Sequence, residues 1–111
     1  MIDSYEFGFM VIDGRTYTND LIILPDEVMS GWWRREGHGL HPEDCVSIIA
    51  VKPKTLVMGT GAYGVLKVPE STTKWLAEQG IELIAQKTGE AWKTFNRLSA
   101  PDVVGAFHLT C

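Results

Sequence analysis

The sequence predicts an α/β fold: a largely parallel sheet with an antiparallel β-hairpin added at its N-terminal end. Three observations predict it. Strand-like and helix-like segments alternate from residue 42 onward, which calls for crossover connections between parallel strands. The run from Val103 to Leu109 is apolar on both faces, as an interior strand is. Near the start, Asp13-Gly14 separates two extended segments, and this dipeptide tolerates the positive φ values of a tight hairpin turn.

Taken in order, residues 5–12 and 15–24 read as the two hairpin strands, the second ending in Leu21-Ile22-Ile23-Leu24 before Pro25. Residues 25–41 read mostly as loop, punctuated by Gly31, Gly37 and Gly39. A first helix is predicted from about His41 to Val51. Pro42 sits at an early position, and Glu43 and Asp44 face the helix's positive end. Thr55 to Met58 is a short buried strand. A second helix spans about 70–79, with Trp75 and Leu76 inward and Gly80 as a left-handed stop. Ile81 to Ala85 is a strand. The third helix begins at Thr88 and lines up Ala91, Trp92, Phe95 and Leu98 on one stripe. Val103 to Leu109 completes the sheet.

The chain of 111 residues reads as a single domain, long enough to bury roughly two-thirds of its unfolded surface. Its aliphatic runs are far shorter than the ~20 residues a bilayer span needs. The acidic start, Met1-Ile2-Asp3-Ser4-Tyr5-Glu6, lacks the basic and apolar regions of a signal peptide. A soluble, cytoplasmic protein without membrane insertion is therefore expected, and the two cysteines, Cys45 and Cys111, fit a reducing compartment. The net charge of −4 disfavours nucleic-acid binding, because the phosphate term needs clustered lysine and arginine.

Four segments invite chemistry. Gly59-Thr60-Gly61-Ala62-Tyr63-Gly64 has the glycine spacing of a dinucleotide turn. Gly64, however, leads into the extended Val65-Leu66-Lys67-Val68-Pro69 and not into the helix that would hold a pyrophosphate. The acidic ribose partner is missing too: Glu82 starts a strand, which is the wrong end. Gly59, Thr60, Gly61 and Gly64 therefore read first as a packing turn and second as a ligand cradle. His108-Leu109-Thr110-Cys111 gathers an imidazole, a hydroxyl and a thiol, yet residues three apart on a strand point to opposite faces. A tethered sheet end with a satisfied His108 is the simpler expectation. Trp32-Trp33-Arg34-Arg35 interleaves aromatic and cationic groups in a glycine-flanked loop, with one tryptophan expected to plug the core. Trp33 and Arg34 are the leading candidates for a partner surface. His38 and His41 have metal-compatible spacing but no completing ligands, and Cys45 reads as a small core residue.

In its motifs the chain resembles the small-domain family that contains the adipogenesis-associated domain protein and mitochondrial respiratory complex I assembly factor 3. The resemblance is carried by Phe9 to Gly14, Leu24-Pro25 with Val28 and Trp33-Arg34, and Val57-Met58-Gly59-Thr60-Gly61. Val68-Pro69-Glu70-Ser71-Thr72, Thr94-Phe95-Asn96 and Gly105 to Cys111 continue it in order. It implies a three-layer α/β/α arrangement with a central mixed, mostly parallel sheet plus the N-terminal antiparallel β-hairpin. It implies no established catalytic residue to carry over, and no cofactor is expected. The His-x-Thr-Cys ending departs from the mitochondrial branch, which weighs against a complex I role.

No catalytic set is complete, so the expectation is a non-enzymatic interaction or assembly-assisting module with a protein partner, itself a monomer or weak homodimer. The rival expectation is a small ligand-binding protein or enzyme using the Gly59–Gly64 turn and His108.

Overall fold

The computed structural model describes all 111 residues. Its elements are β1 (Ile2–Glu6), β2 (Phe9–Ile12), β3 (Arg15–Tyr17), β4 (Leu21–Ile23), β5 (Val28–Ser30), α1 (Val46–Ala50), β6 (Thr55–Thr60), α2 (Glu70–Glu78), β7 (Glu82–Gln86), α3 (Thr88–Leu98) and β8 (Val103–His108). Strands β1-β2-β3 form an antiparallel sheet, and the second sheet has the order β5-β4-β8-β6-β7. Within the second sheet, β6 pairs parallel with both β7 and β8, while β4 pairs antiparallel with β5 and β8. The sheet is thus mixed, with its parallel half where helices alternate with strands.

Alternation along the strands builds two cores. Leu56, Met58, Val104, Ala106 and Ile22 pack on one face with Leu40, Cys45, Ile48, Leu66 and Leu76. Val57, Val103, Phe107 and Leu21 pack on the other with Ala91 and the sheet residues Ile2, Met10 and Ile12. Helices α1 and α2 therefore cover one face, and α3 with the three-stranded sheet covers the other. This is the three-layer α/β/α arrangement that the motifs imply.

The N-terminal reading needs correction. Residues 5–12 are not one strand: the chain reverses at Phe7-Gly8, where Gly8 has φ +90, and β1 pairs back on β2. The Asp13-Gly14 turn is present, with φ of +49 and +81. The second extended segment, residues 15–24, splits between the two sheets as β3 and β4, with Thr18-Asn19-Asp20 as the crossing. A hydrophobic pattern is the same whichever sheet the strand joins, so the split is invisible in it. Within residues 25–41, Val28–Ser30 forms the edge strand β5.

The helices follow the sequence more closely. The first opens as a 3-10 turn, Pro42–Cys45, because the Asp44 carboxylate accepts the N–H groups of His41 at 2.9 Å and Arg35 at 3.0 Å. In α3, Leu98 lies exposed and Thr94 is buried instead, its hydroxyl donating to Gln86 Oε1 at 2.7 Å. The inward stripe is shifted by that hydrogen bond.

Candidate functional site

At the carboxyl end of the parallel strands, the register sets Thr60 of β6 beside His108 of β8. Almost every site residue read from the sequence converges here. The interstrand crossing brings in one more, Asp20, which the sequence does not single out.

Asp20 is the hub of a buried polar cluster. Its Oδ2 lies 2.7 Å from His108 Nδ1 and 2.8 Å from Arg34 Nη2, and its Oδ1 accepts the Leu109 N–H at 2.8 Å. Arg34 Nη2 also donates to the Gly37 carbonyl at 2.9 Å. The short bond to a carboxylate assigns the His108 proton to Nδ1. Arg34 Nη2, 3.3 Å from the same nitrogen, is then a neighbour and not a donor to it. Burial alone would raise the Asp20 carboxyl. Hydrogen bonds from His108, the Leu109 amide and Arg34 outweigh burial and hold the carboxyl below its usual range. Next to it, the Tyr5 hydroxyl donates to the Leu109 carbonyl at 2.8 Å, and burial with the charge on Asp20 pushes that phenol up.

The expected partner surface therefore divides in two. Arg34 is 8% exposed, and its guanidinium lies 4.8 Å from the centre of the Trp32 ring and on Asp20, so it does not present a fork to solvent. Trp32 is the tryptophan that anchors the loop, its Nε1 donating to the Asp44 carbonyl at 3.1 Å. Trp33 is 78% exposed. The alternation follows from consecutive side chains of an extended segment pointing in opposite directions.

The glycine turn is closed by the protein itself. Gly61 N–H donates to Thr88 Oγ1 at 2.9 Å, Ala62 N–H to the Thr110 carbonyl at 2.6 Å and Val65 N–H to the Cys111 carbonyl at 3.1 Å. Thr88 Oγ1 in turn donates to the His108 carbonyl at 2.6 Å. Amides that would cradle a phosphate are thus spent on Thr88 and the terminal segment, and α2 begins only at Glu70. Gly61 has φ +100, and a Cβ there would lie 2.5 Å from the Cys111 carbonyl and 2.8 Å from His108 Cδ2. A Cβ on Gly59 would meet Phe107 and Thr88, each at 2.8 Å. A Cβ on Gly64, at φ +70, would press only on the flexible Lys87 stem at 3.3 Å, with Thr60 Oγ1 in ordinary contact at 3.7 Å.

Three polar atoms of the cluster are buried without partners: Arg34 Nε, Arg34 Nη1 and His108 Nε2. Among the other candidates, His41 Nε2 contacts Glu36 Oε1 at 2.8 Å, while His38 is exposed and sets its ring 5.9 Å from that of His108. Cys45 is fully buried, and burial with the nearby Asp44 charge pushes its thiol up to about 12. No sequence signal separates Asp20 from an ordinary turn residue: Asn19-Asp20 is what a loop between strands looks like.

A crossover α/β sheet, a three-stranded antiparallel annex and a terminal strand pinned by a buried Asp-His-Arg cluster define a small three-layer α/β protein. The chain belongs to the family described as "Protein of unknown function (DUF498/DUF598)", whose model matches residues 2–108. It is similar to the conserved hypothetical protein PH1505 from Pyrococcus horikoshii, with 27% identity, 100% of this chain and 99% of that chain covered, and a TM-score of 0.83. It is also similar to a Bartonella henselae structure described as an outer membrane protein, at 25% identity over 99% of this chain and 94% of that one, TM-score 0.80. A Bordetella pertussis protein described as a Mth938-like domain shares the fold, with 19% identity, 98% and 85% coverage and a TM-score of 0.65. In the present chain no helix is long and apolar enough to cross a membrane.

Proposed function

We propose that this chain is a non-enzymatic protein-interaction module, assisting the assembly of a larger complex, with its contact surface built around residues 109–111. One observation carries the reading. The exposed aromatic side chains Trp33 (78%), Tyr63 (69%) and Phe7 (54%) all border that segment. Trp33 lines a cleft with Thr110. Ala62, next to Tyr63, donates to the Thr110 carbonyl, and Gly8, next to Phe7, donates to the Leu109 carbonyl at 2.8 Å. The Phe7 and Tyr63 rings are 6.0 Å apart. Aromatic side chains are enriched in interface cores because they bring large contact area at small entropic cost. The Asp20–Arg34–His108 cluster beneath supplies rigidity, so the surface is held ready before a partner arrives. This reading requires no cofactor and no nucleic acid, and it places the protein in the cytoplasm as a monomer or weak homodimer.

The test is an affinity capture from native lysate after in-cell cross-linking. It compares wild type with Trp33→Ala and with a Phe7→Ser, Tyr63→Ser double variant. Arg34 is left intact, since removing it would unseat the loop. Loss of the same captured protein from both variants supports the module. Identical capture by all three chains would sink it.

A second reading, a ligand-binding protein or enzyme at the Gly59–Gly64 turn, is favoured by the unpartnered His108 Nε2. An Asp-oriented imidazole with a free Nε2 is the arrangement a general base takes. A thermal-shift panel of nucleotides, coenzymes and phosphorylated metabolites decides it. A ligand at 100 times its dissociation constant adds about 2.7 kcal/mol.

A further inference from the structure

Away from the aromatic surface, a cleft of about 460 Å³ opens between the start of β1, the β4–β5 turn and the end of α3. Its apolar lining includes Ile12, Ile23, Val28, Phe95 and Val103, and its rim carries Asp13, Asp26 and Glu27. That volume falls in the range of about 300–1,000 Å³ typical of small-molecule sites. The walls are fixed. Asn96 accepts from the Ile2 N–H at 3.0 Å and donates to the Ile2 carbonyl at 2.7 Å, tying α3 to β1. The Leu24 N–H donates to the Glu27 carbonyl at 2.8 Å and closes the acidic turn.

We infer that this cleft binds a small amphipathic cation, an alkyl- or arylammonium whose body lies on the apolar wall and whose charge meets Asp26 and Glu27. Charge complementarity selects that occupant. Neither Asp26 nor Glu27 has an ion-pair partner, whereas Asp13 is already paired with the Met1 ammonium at 2.8 Å. The one cation lining the cleft is the Met1 ammonium, which Asp13 already holds, and no lysine or arginine joins it. Arg97, in the last turn of α3, is not among the lining residues, and its guanidinium donates to Thr94 Oγ1 at 3.3 Å. The helix also ends here, at Ser99, so its free carbonyls add partial negative charge on the same side. Phe95 adds an aromatic ring to the lining, and aromatic π-systems favour ammonium groups over carboxylates. An anionic or neutral ligand of equal size would fill the same apolar wall without any of these interactions.

The experiment is a protein-observed NMR titration with n-hexylammonium, hexanoate and hexan-1-ol, on wild type and on Asp26→Asn, Glu27→Gln. Both acids are exposed, and an unchanged amide spectrum verifies that the double variant keeps the fold. The expected result is saturable shifts confined to residues 23–28 and 95–103, with hexylammonium binding at least about tenfold tighter than hexanoate. In the double variant the ammonium should weaken at least about fivefold while hexanol is unaltered. Equal binding of hexanoate, no saturation by hexylammonium, or shifts centred on Trp33 in the other cleft would each overturn the assignment. The site shares no residue with the aromatic surface, so its failure leaves the interaction module untouched.

Discussion

Asp20 Oδ2 and His108 Nδ1 meet at 2.7 Å across 88 positions of sequence, and this contact joins the crossing between the two sheets to the end of the central strand. Asp20 also carries Arg34 and the Leu109 amide, so one carboxylate fixes the Trp33 loop and the terminal segment together. Replacing Asp20 by Ala leaves a buried guanidinium without its counter-charge. A loss of about 3–5 kcal/mol is expected, the cost of breaking one partner of a buried pair. Urea denaturation measures it; a loss below about 1 kcal/mol would show that the cluster is energetically idle.

The same carboxylate sets an acid limit. Its folded pKa lies below the ordinary 3.8, so it contributes stability that is fully present above 3.8 and is lost as pH falls through the lower folded value. Urea midpoints for wild type should fall as pH drops below 3.8, and Asp20→Asn should show a shallower fall over the same range. Parallel acid profiles for the two proteins would contradict this.

Much of the fold is legible in the residues because it rests on local rules. Proline at Pro42, glycine at Gly80 and the two-faced apolar run at Val103 mark a helix start, a helix stop and an interior strand without tertiary information. The division of residues 15–24 between two sheets is not legible, because hydrophobic alternation gives a strand its face and not its neighbour. The site shows the same contrast. Trp33, Gly61 and His108 stand out by type, but Asp20 becomes the hub only through a contact 88 residues away, and the same geometry turns Arg34 inward.

The two glycines of the turn should behave differently when a methyl group is added. At Gly61 an alanine is strained by φ +100 and collides with the Cys111 carbonyl, an obstacle made of backbone. Gly61→Ala should cost more than about 2 kcal/mol. Gly64→Ala, at φ +70 beside the yielding Lys87 stem, should cost about 1 kcal/mol. Thermal melts of both variants check the order; equal losses would mean that the tail moves aside freely.

Cys45 should resist alkylation. With its thiol pushed up to about 12, on the order of one molecule in 10⁴ carries the thiolate at pH 8. Cys111 is half-buried at the pinned end of the chain and is expected to be structural or dispensable. Mass spectrometry after timed iodoacetamide treatment should show Cys45 unlabelled in the native protein and Cys111 labelling without a burst below pH 7. Rapid Cys111 labelling that His108→Ala abolishes would reveal an activated thiol.

Trp33→Ala should leave stability within about 0.5 kcal/mol of wild type, because the ring is 78% exposed. Any larger loss in a chemical melt would mean that the ring is packed and is not a free contact surface.

The position of β8 between β4 and β6 has a consequence for biosynthesis. The middle of the second sheet is the stretch the ribosome delivers after every other strand. At about 5–20 residues per second, β4 and β6 emerge seconds before the strand that joins them, each with an open hydrogen-bonding edge. Nascent chains of this protein therefore pass that interval with the sheet unjoined at its middle, which is when a chaperone that caps bare strand edges finds them open.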